Sequence, residues 1–364
     1  MSVLPDPATL APQTLERATA LAAPFYTAPE ALAFEQAELF SRSWQLVAHV
    51  SQVAASGDHV VTDIAGVPLL VVRGDDGELR ALHNVCRHRA GPLAECDGRG
   101  ARSLRCRYHG WTYGLDGRLR SATEMGGAAD FDPAVVRLPS VPLVVWRGLV
   151  FVSLDPVEDF ATLIAQVDAR LGERGFEHYA FDRRVPYEAQ CNWKVYIDNY
   201  LEGYHLPHVH PGLNRLLDYR SYVVETGARH SLQYSPLADS GGIYTAGEAL
   251  YVFLWPNTML NILPGRLQTN RVVPLGIDRC RIDFDYSYAG DAGDDIQART
   301  RDREFSDEVQ HEDGAICAAV QRGLASGGYV PGRLNPKREN AVFHFHELLR
   351  SVWRERGAGV RLTR

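Results

Sequence analysis

The sequence contains no apolar run approaching the roughly eighteen residues that a membrane span needs. Met1 to Ala20 lack a basic segment followed by an apolar core, so the N-terminus does not read as a secretory signal. Cysteine is scarce: Cys86, Cys96, Cys106, Cys191, Cys280 and Cys317 are too few and too scattered to staple 364 residues together. These absences predict a cytoplasmic protein with reduced thiols and no membrane partner. No G-x-G-x-x-G run is present, so no dinucleotide-binding fingerprint is expected within this chain. The net charge of -7 weighs against nucleic acid as the main partner. Repeats, low-complexity tracts and linkers are missing as well.

What is present has ordinary globular composition, 45% hydrophobic and 23% charged. The length is large for one core and predicts two domains. Residues 29–45 (PEALAFEQAELFSRSWQ) read as one amphipathic helix, with Pro29 in its first turn and Leu32, Phe34, Leu39 and Trp44 as apolar contacts. From Leu46 to Leu154, short Val, Leu and Ile runs alternate with turn signals such as Asp76-Gly77 and Asp116-Gly117, an all-β texture. Beyond Asp155 the pattern is mixed. Helices are expected over 159–171, around Tyr196 to His205 and from Thr300 to Leu324, and strands over 251–255, 259–263 and 280–289. The expected class is α+β, an all-β domain followed by an α+β domain.

Within the β region, Cys86-Arg87-His88 and Cys106-Arg107-Tyr108-His109 form two matched pairs. Two soft thiolates and two imidazoles can bind metal. Scattered core residues and a structural zinc site are the competing readings. Zinc modules usually open with Cys-x₂₋₄-Cys or close with His-x₃₋₅-His, whereas each loop here supplies one Cys and one His. That mixture suits a [2Fe–2S] cluster of Rieske type, with Cys86 and Cys106 on one iron and His88 and His109 on the other. Gly91, Pro92 and Gly110 let backbone come close to cluster sulfurs, and Tyr108, Trp111 and Tyr113 could shield them. The segments CRHRAGPLAE and CRYHGWTYGLDGRL resemble the cluster loops of the Rieske non-haem iron oxygenases, the aromatic-ring-hydroxylating alpha-subunit family. Arg87 and Arg107 stand where that family commonly has proline, and Cys96 where it commonly has glycine; none is a ligand position.

Downstream lies Asp198-x₃-Glu202-x₂-His205-x₄-His210. On a helix, Asp198, Glu202 and His205 would share one face. Pro207 disfavours further helix, so the chain can turn and bring His210 back toward His205. Two imidazoles and one carboxylate on one face of an Fe(II) ion leave positions open for O₂. The helix expected over 300–324 places Asp313 on a stripe with Val309, Ile316, Cys317, Val320 and Leu324, where a carboxylate needs a metal or an arginine. Glu308 and Glu312 fall toward the polar side. His208 is a competing ligand, or lines the site or a subunit boundary; His344 and His346 read as structural or site-lining.

The resemblance extends through this region. It implies an all-β Rieske [2Fe–2S] domain over 46–155 and a helix-grip (START-like) α+β catalytic domain over 156–364, with residues 1–45 packing on the latter. It implies mononuclear Fe(II) on His205, His210 and Asp313, with Asp198 in the catalytic motif and Glu202 as an electron-transfer bridge from His205 to His109 of the next subunit in a homotrimer. The implied activity is that of a terminal oxygenase, using O₂ and electrons that start on NAD(P)H and arrive through a separate flavin/iron–sulfur reductase or a ferredoxin. Glutamate at 202 together with PNTMLNILPG, AVQRGL and FHFHELL is similar to the branch acting on choline, carnitine and glycine betaine, whose chemistry is hydroxylation or N-demethylation of a small amine. Ring hydroxylation of an aromatic compound or acid is the alternative; a Rieske electron carrier without oxygenase activity is another. For a quaternary ammonium substrate, Tyr204, Tyr251, Phe253 and Trp255 are candidate aromatic faces, with ordinary core packing as the competing reading.

Overall fold

In the computed structural model, which describes residues 2–3, 7–217, 219–237, 247–290 and 296–363, the chain divides into two compact units. One comprises residues 40–160; the other joins residues 1–39 to 161–364. Helix α1 covers Pro29–Glu38, with proline in its first turn. It stops seven residues short of the helix expected over 29–45. The serines at 41 and 43 are weak helix formers, and Trp44 is drawn into tertiary contact, packing edge-on against Phe160 and donating Nε1–H to the Glu158 carbonyl.

The 40–160 unit is built from short antiparallel strands. Strands β1 (Gln45–His49), β2 (His59–Ile64), β3 (Val67–Arg73), β4 (Leu79–His83), β5 (Leu104–Arg105), β6 (Thr112–Tyr113), β7 (Leu119–Ser121), β8 (Ser140–Val141), β9 (Leu143–Trp146) and β10 (Leu149–Val152) form three sheets, ordered β2-β3-β4-β8, β9-β10-β1 and β5-β6-β7. Cys86 and Cys106 belong to a core cluster with Leu70, Val72, Leu82, Trp111 and Tyr113. The loops that carry them are thereby anchored in apolar packing.

The second unit continues with α2 (Phe160–Leu171), β11 (Ala180–Ala189), α3 (Trp193–Tyr200), α4 (Leu206–Val209) and α5 (Pro211–Leu216). It follows with β12 (Val223–Thr226), β13 (His230–Pro236), β14 (Glu248–Leu254), β15 (Thr258–Leu263), β16 (Arg266–Pro274), β17 (Cys280–Tyr288), α6 (Ile296–Ala325) and α7 (Asn340–Arg356). Seven strands make one antiparallel sheet ordered β11-β17-β16-β15-β14-β13-β12, a meander whose last strand pairs with its first.

The long helix α6 lies against this sheet, and the face it buries differs from the one expected. Asp302, Ser306, Gln310, Cys317, Gln321 and Leu324 are buried, whereas Ile316 and Val320 are 39% and 45% exposed. Tyrosines make the difference. The hydroxyls of Tyr288, Tyr286, Tyr196 and Tyr187 pair with Asp302, Ser306, Gln310 and Asp307. A polar helix face can be buried when each group finds a partner. Among the described residues, no helix is long and apolar enough to cross a membrane.

The N-terminal segment is tied to α3 by a fully buried ion pair. Lys194 Nζ donates to both Glu35 oxygens at 2.7 and 2.8 Å, and Trp193 Nε1 donates to Glu35 Oε2 at 2.7 Å. Burial pushes the Glu35 carboxyl up and the Lys194 ammonium down, each partly offset by the other's charge. Removing one partner strands a buried charge, so Glu35→Ala is expected to destabilise the protein by about 3–5 kcal/mol. The double change Glu35→Leu with Lys194→Met should lose far less. Urea unfolding monitored by tryptophan fluorescence tests this; single-variant losses below about 1 kcal/mol would place the pair among weak surface bridges instead.

Candidate active site

The two Cys/His loops have the same backbone. Cys86 N–H donates to the Gly91 carbonyl and Cys106 N–H to the Trp111 carbonyl, five residues on in each case. Four residues after each cysteine, Ala90 and Gly110 donate back to that cysteine's carbonyl and take positive φ values of 58° and 76°. Both thiols are buried, while His88 is exposed and His109 half-buried, with ring centroids 4.6 Å apart. A Cβ at Gly91 would lie 2.9 Å from Cys106 Sγ, so glycine keeps that sulfur's surroundings clear. Tyr113 Oη is 3.4 Å from Cys86 Sγ and accepts from Arg87 N–H. Trp111 stacks on His88 with ring planes 9° apart, and Tyr108, 58% exposed, lies over His109 with centroids 3.8 Å apart. Two buried thiols and two imidazoles, on twin turns with a cleared space between them, fit a [2Fe–2S] cluster of Cys₂His₂ type.

In the other unit, His205, His210 and Asp313 come together from α4's N-terminal boundary, the α4–α5 junction and α6. One ligand atom from each lies within 4.8 Å of the others, a group able to hold a metal ion. His210 Nε2 is 3.0 Å and His205 Nε2 3.8 Å from Asp313 Oδ1. Each histidine donates its other nitrogen, Nδ1–H, to a glutamate: His205 to Glu202 Oε1 and His210 to Glu312 Oε2, both at 2.6 Å. That fixes the tautomer and turns both Nε2 lone pairs toward the centre. Burial would lower the His210 imidazole, but hydrogen bonds and charges of Asp313 and Glu312 outweigh it and hold its pKa above the ordinary value. The donor set, two nitrogens and one carboxylate with open positions, fits non-haem Fe(II).

Local structure here departs from expectation. Helix α3 ends at Tyr200, so Asp198, Glu202 and His205 do not share one helical face. Glu202 sits in the following turn, where its Oε2 accepts from the backbone N–H groups of Tyr204 and His205. These satisfy donors at the start of the next helical turn. Pro207 starts helix α4 rather than ending one, because proline in a first turn sacrifices no hydrogen bond. Asp198 faces elsewhere, accepting from Tyr26 Oη at 2.7 Å and from His346 Nε2 at 2.9 Å. The described partners of Asp313 are Asn199 and the two histidines, in place of the arginine considered above.

A cavity of about 130 Å³ opens on the three-residue cluster. Its wall includes Tyr200, Tyr222, Tyr251, Phe284 and Phe305 beside His205, His210 and Asp313. Of the four aromatic candidates, the cavity takes Tyr251 alone. Phe253 and Trp255 pack on Phe345 at 5.7 and 5.6 Å, where α7 covers that end of the sheet. Tyr204 is 46% exposed and His208 is exposed on α4; neither is in the cavity wall, and His208 is not part of the ligand group formed by the described residues. Glu312, Asn199, Tyr200 and Tyr222 were not anticipated. A signal for Glu312 existed: a metal-binding imidazole needs an acceptor for its second nitrogen, and an acid adjacent to Asp313 supplies one.

Known families match both units. Residues 43–147 match the Rieske [2Fe–2S] domain, and residues 176–355 match the ring hydroxylating alpha subunit catalytic domain. Chloroplastic choline monooxygenase from Arabidopsis thaliana is 36% identical over 92% of this chain and 83% of its own length. The carnitine monooxygenase oxygenase subunit from Escherichia coli K12 is 32% identical over 97% of this chain and 98% of its own. The solved structure of a quaternary ammonium Rieske monooxygenase superimposes with a TM-score of 0.89 at 26% identity, covering 97% of this chain and 100% of that one. With twin Cys/His loops in one unit and a two-histidine, one-carboxylate cluster in the other, the chain belongs to the Rieske non-haem iron oxygenases.

Proposed function

We propose that this protein is the terminal oxygenase of a multicomponent system that hydroxylates or N-demethylates a small quaternary or N-methylated amine. The observation that carries the substrate class is the cavity: about 130 Å³, with Tyr200, Tyr222 and Tyr251 in its wall alongside leucines and Arg266, directly beside the metal-ligand cluster. That is close to the roughly 150 Å³ of an apolar cavity that accepts benzene, and too small for a polycyclic substrate. Burial pushes the Tyr251 phenol up to about 12 and raises Tyr200 and Tyr222 as well, so all three present neutral rings. Neutral aromatic faces attract an ammonium group that has lost its water. The choline and carnitine activities of the relatives named above support the same class.

Cys86, Cys106, His88 and His109 would hold the cluster, and His205, His210 and Asp313 the mononuclear iron. When bound, the cluster supplies single electrons and the iron the means to activate O₂. Glu202 and Glu312 fix the imidazoles. Asn199 holds Asp313 through its Nδ2–H, restricting the carboxylate's orientation. The tyrosine wall excludes water from the substrate's methyl groups. We assign Glu202, in direct hydrogen bond with His205 Nδ1, as the bridge that receives charge from His109 of an adjacent subunit in a ring of three. Electrons would reach that subunit from NAD(P)H through a separate reductase.

Three outcomes test this reading. Asp313→Ala should lower iron from about three to about two per chain while leaving the cluster's visible spectrum intact, as metal analysis and absorbance would show. Glu312→Ala should weaken Fe(II) retention by about 10–100-fold, measured by competition with a chelator. With a surrogate reductase, choline- and carnitine-type amines should drive NADH consumption with matching hydroxylated product or formaldehyde. Turnover of aromatic acids alone would refute the substrate class.

A further inference from the structure

Arg87 and Arg107 each directly follow a cluster cysteine, and neither has a part in the chemistry above. Both are exposed, as is Arg89. Between His83 and Gly110 the chain has six arginines and two acids, although its net charge is -7. Those two acids are engaged elsewhere. Glu95 pairs with Arg107 at 3.2 Å, and Asp97 accepts from the Val61 N–H at 2.8 Å. Arg89 lies over the Tyr108 ring, 5.1 Å from its centroid. Among the described residues, neither Arg87 nor Arg89 forms an ion pair with a carboxylate. Like charges crowded on one surface repel each other until an anion meets them.

Arg87 and Arg89 line a depression of about 370 Å³ whose wall also includes His83, Cys86, His88 and Pro139. Among the described residues no acid lines it, and neither Cys106 nor His109 is in its wall. The depression therefore leads to the Cys86 loop alone. The bridge to the adjacent subunit starts from His109, on the other loop.

We propose that the Arg87–Arg89 depression is the docking surface for an acidic one-electron carrier protein, which delivers its electron through the Cys86 loop. The inference rests on the electron-supply step of the proposed function and adds to it a face and a charge. A guanidinium presents a planar fork that pairs bidentately with a carboxylate. Exposed pairs of this kind add little affinity, but they steer encounter and fix orientation, so docking is fast, weak and sensitive to salt. That suits a carrier that must arrive, give up one electron and leave. One electron crosses per encounter, oxidising the carrier and reducing the centre that these loops hold. Entry on one loop leaves His109, on the other, for the adjacent subunit.

The probe is a plant-type [2Fe–2S] ferredoxin of acidic surface, added to the holoprotein without any amine. Titration calorimetry measures its binding, and stopped-flow absorbance measures reduction of the cluster by ferredoxin that is already reduced. The dissociation constant is expected to rise by about tenfold or more between about 0.05 and 0.5 M salt. Arg87→Glu with Arg89→Glu should weaken binding at low salt by about tenfold or more and slow reduction in step. Arg87→Gln with Arg89→Gln should change both less, in the same direction. An unchanged visible spectrum and unchanged reduction by dithionite show that the loops are intact; the glutamine pair decides the question if the reversal loses its spectrum. Arg301→Glu, an exposed reversal on α6, should change nothing. Native affinity and reduction rate in the arginine variants would overturn the proposal, as would an equal loss from Arg301→Glu or no binding to the native protein at low salt. Loss of self-association with ferredoxin affinity intact would assign the arginines to a second copy and overturn it too. No amine is turned over in these measurements, so the substrate class can fail while the docking surface stands.

Discussion

Asp313 can meet histidines more than a hundred residues away because helix α6 is seated on the sheet by directed hydrogen bonds. Apolar burial is non-directional and would tolerate sliding or rolling of a long helix. Tyr286 and Tyr288, two apart on β17, point to the same face and catch Ser306 and Asp302 one turn apart on α6. Tyr196 on α3 catches Gln310 one turn further along. A ladder of such pairs fixes both the translation and the rotation of the helix. The carboxylate at position 313 is delivered by that registry, and Asn199 on α3 completes it. Buried polar networks of this kind specify one arrangement when every member is satisfied.

The two centres treat their histidines in different ways. At the cluster loops, His88 and His109 are faced by the rings of Trp111 and Tyr108. In the catalytic unit, His205 and His210 each give Nδ1–H to a glutamate. A carboxylate behind an imidazole makes it a more basic ligand, which suits a divalent ion. Neutral imidazoles facing aromatic rings suit a cluster whose potential is raised by having fewer negative ligands. The same residue type is therefore held in different ways within one chain; Tyr108 lies beside the His109 it faces and Glu202 three before His205, whereas Glu312 reaches His210 from α6.

Legibility in the sequence followed how local each signal was. The twin cysteine–histidine loops could be read directly, because spacing within a short turn determines what the turn can present. The α+β order and the long C-terminal helix were visible from periodicity. Asp313 was singled out for the right helix but for an incomplete reason: α6 buries serine, glutamine and aspartate beside it, and only the partner tyrosines explain why that is tolerated. The break after Tyr200 was misread because Glu202 caps the next turn with its own side chain, a contact that helical periodicity does not encode. Tyr251 and Phe253 alternate correctly along β14, yet one faces the cavity and the other Phe345, since a strand face can change partners along its length.

His210 has neighbouring residues of one helix at its two ring nitrogens, Glu312 accepting from Nδ1–H and Asp313 Oδ1 lying 3.0 Å from Nε2. Consecutive side chains on a helix diverge by about 100°, so they can straddle a flat ring only at one angle of roll. A rotation of α6 at this turn would move both carboxylates relative to the ring at once. Retention of the ion thus becomes a gauge of helix seating: mutations along the tyrosine ladder, far from the ring, would register as metal loss before they register as unfolding.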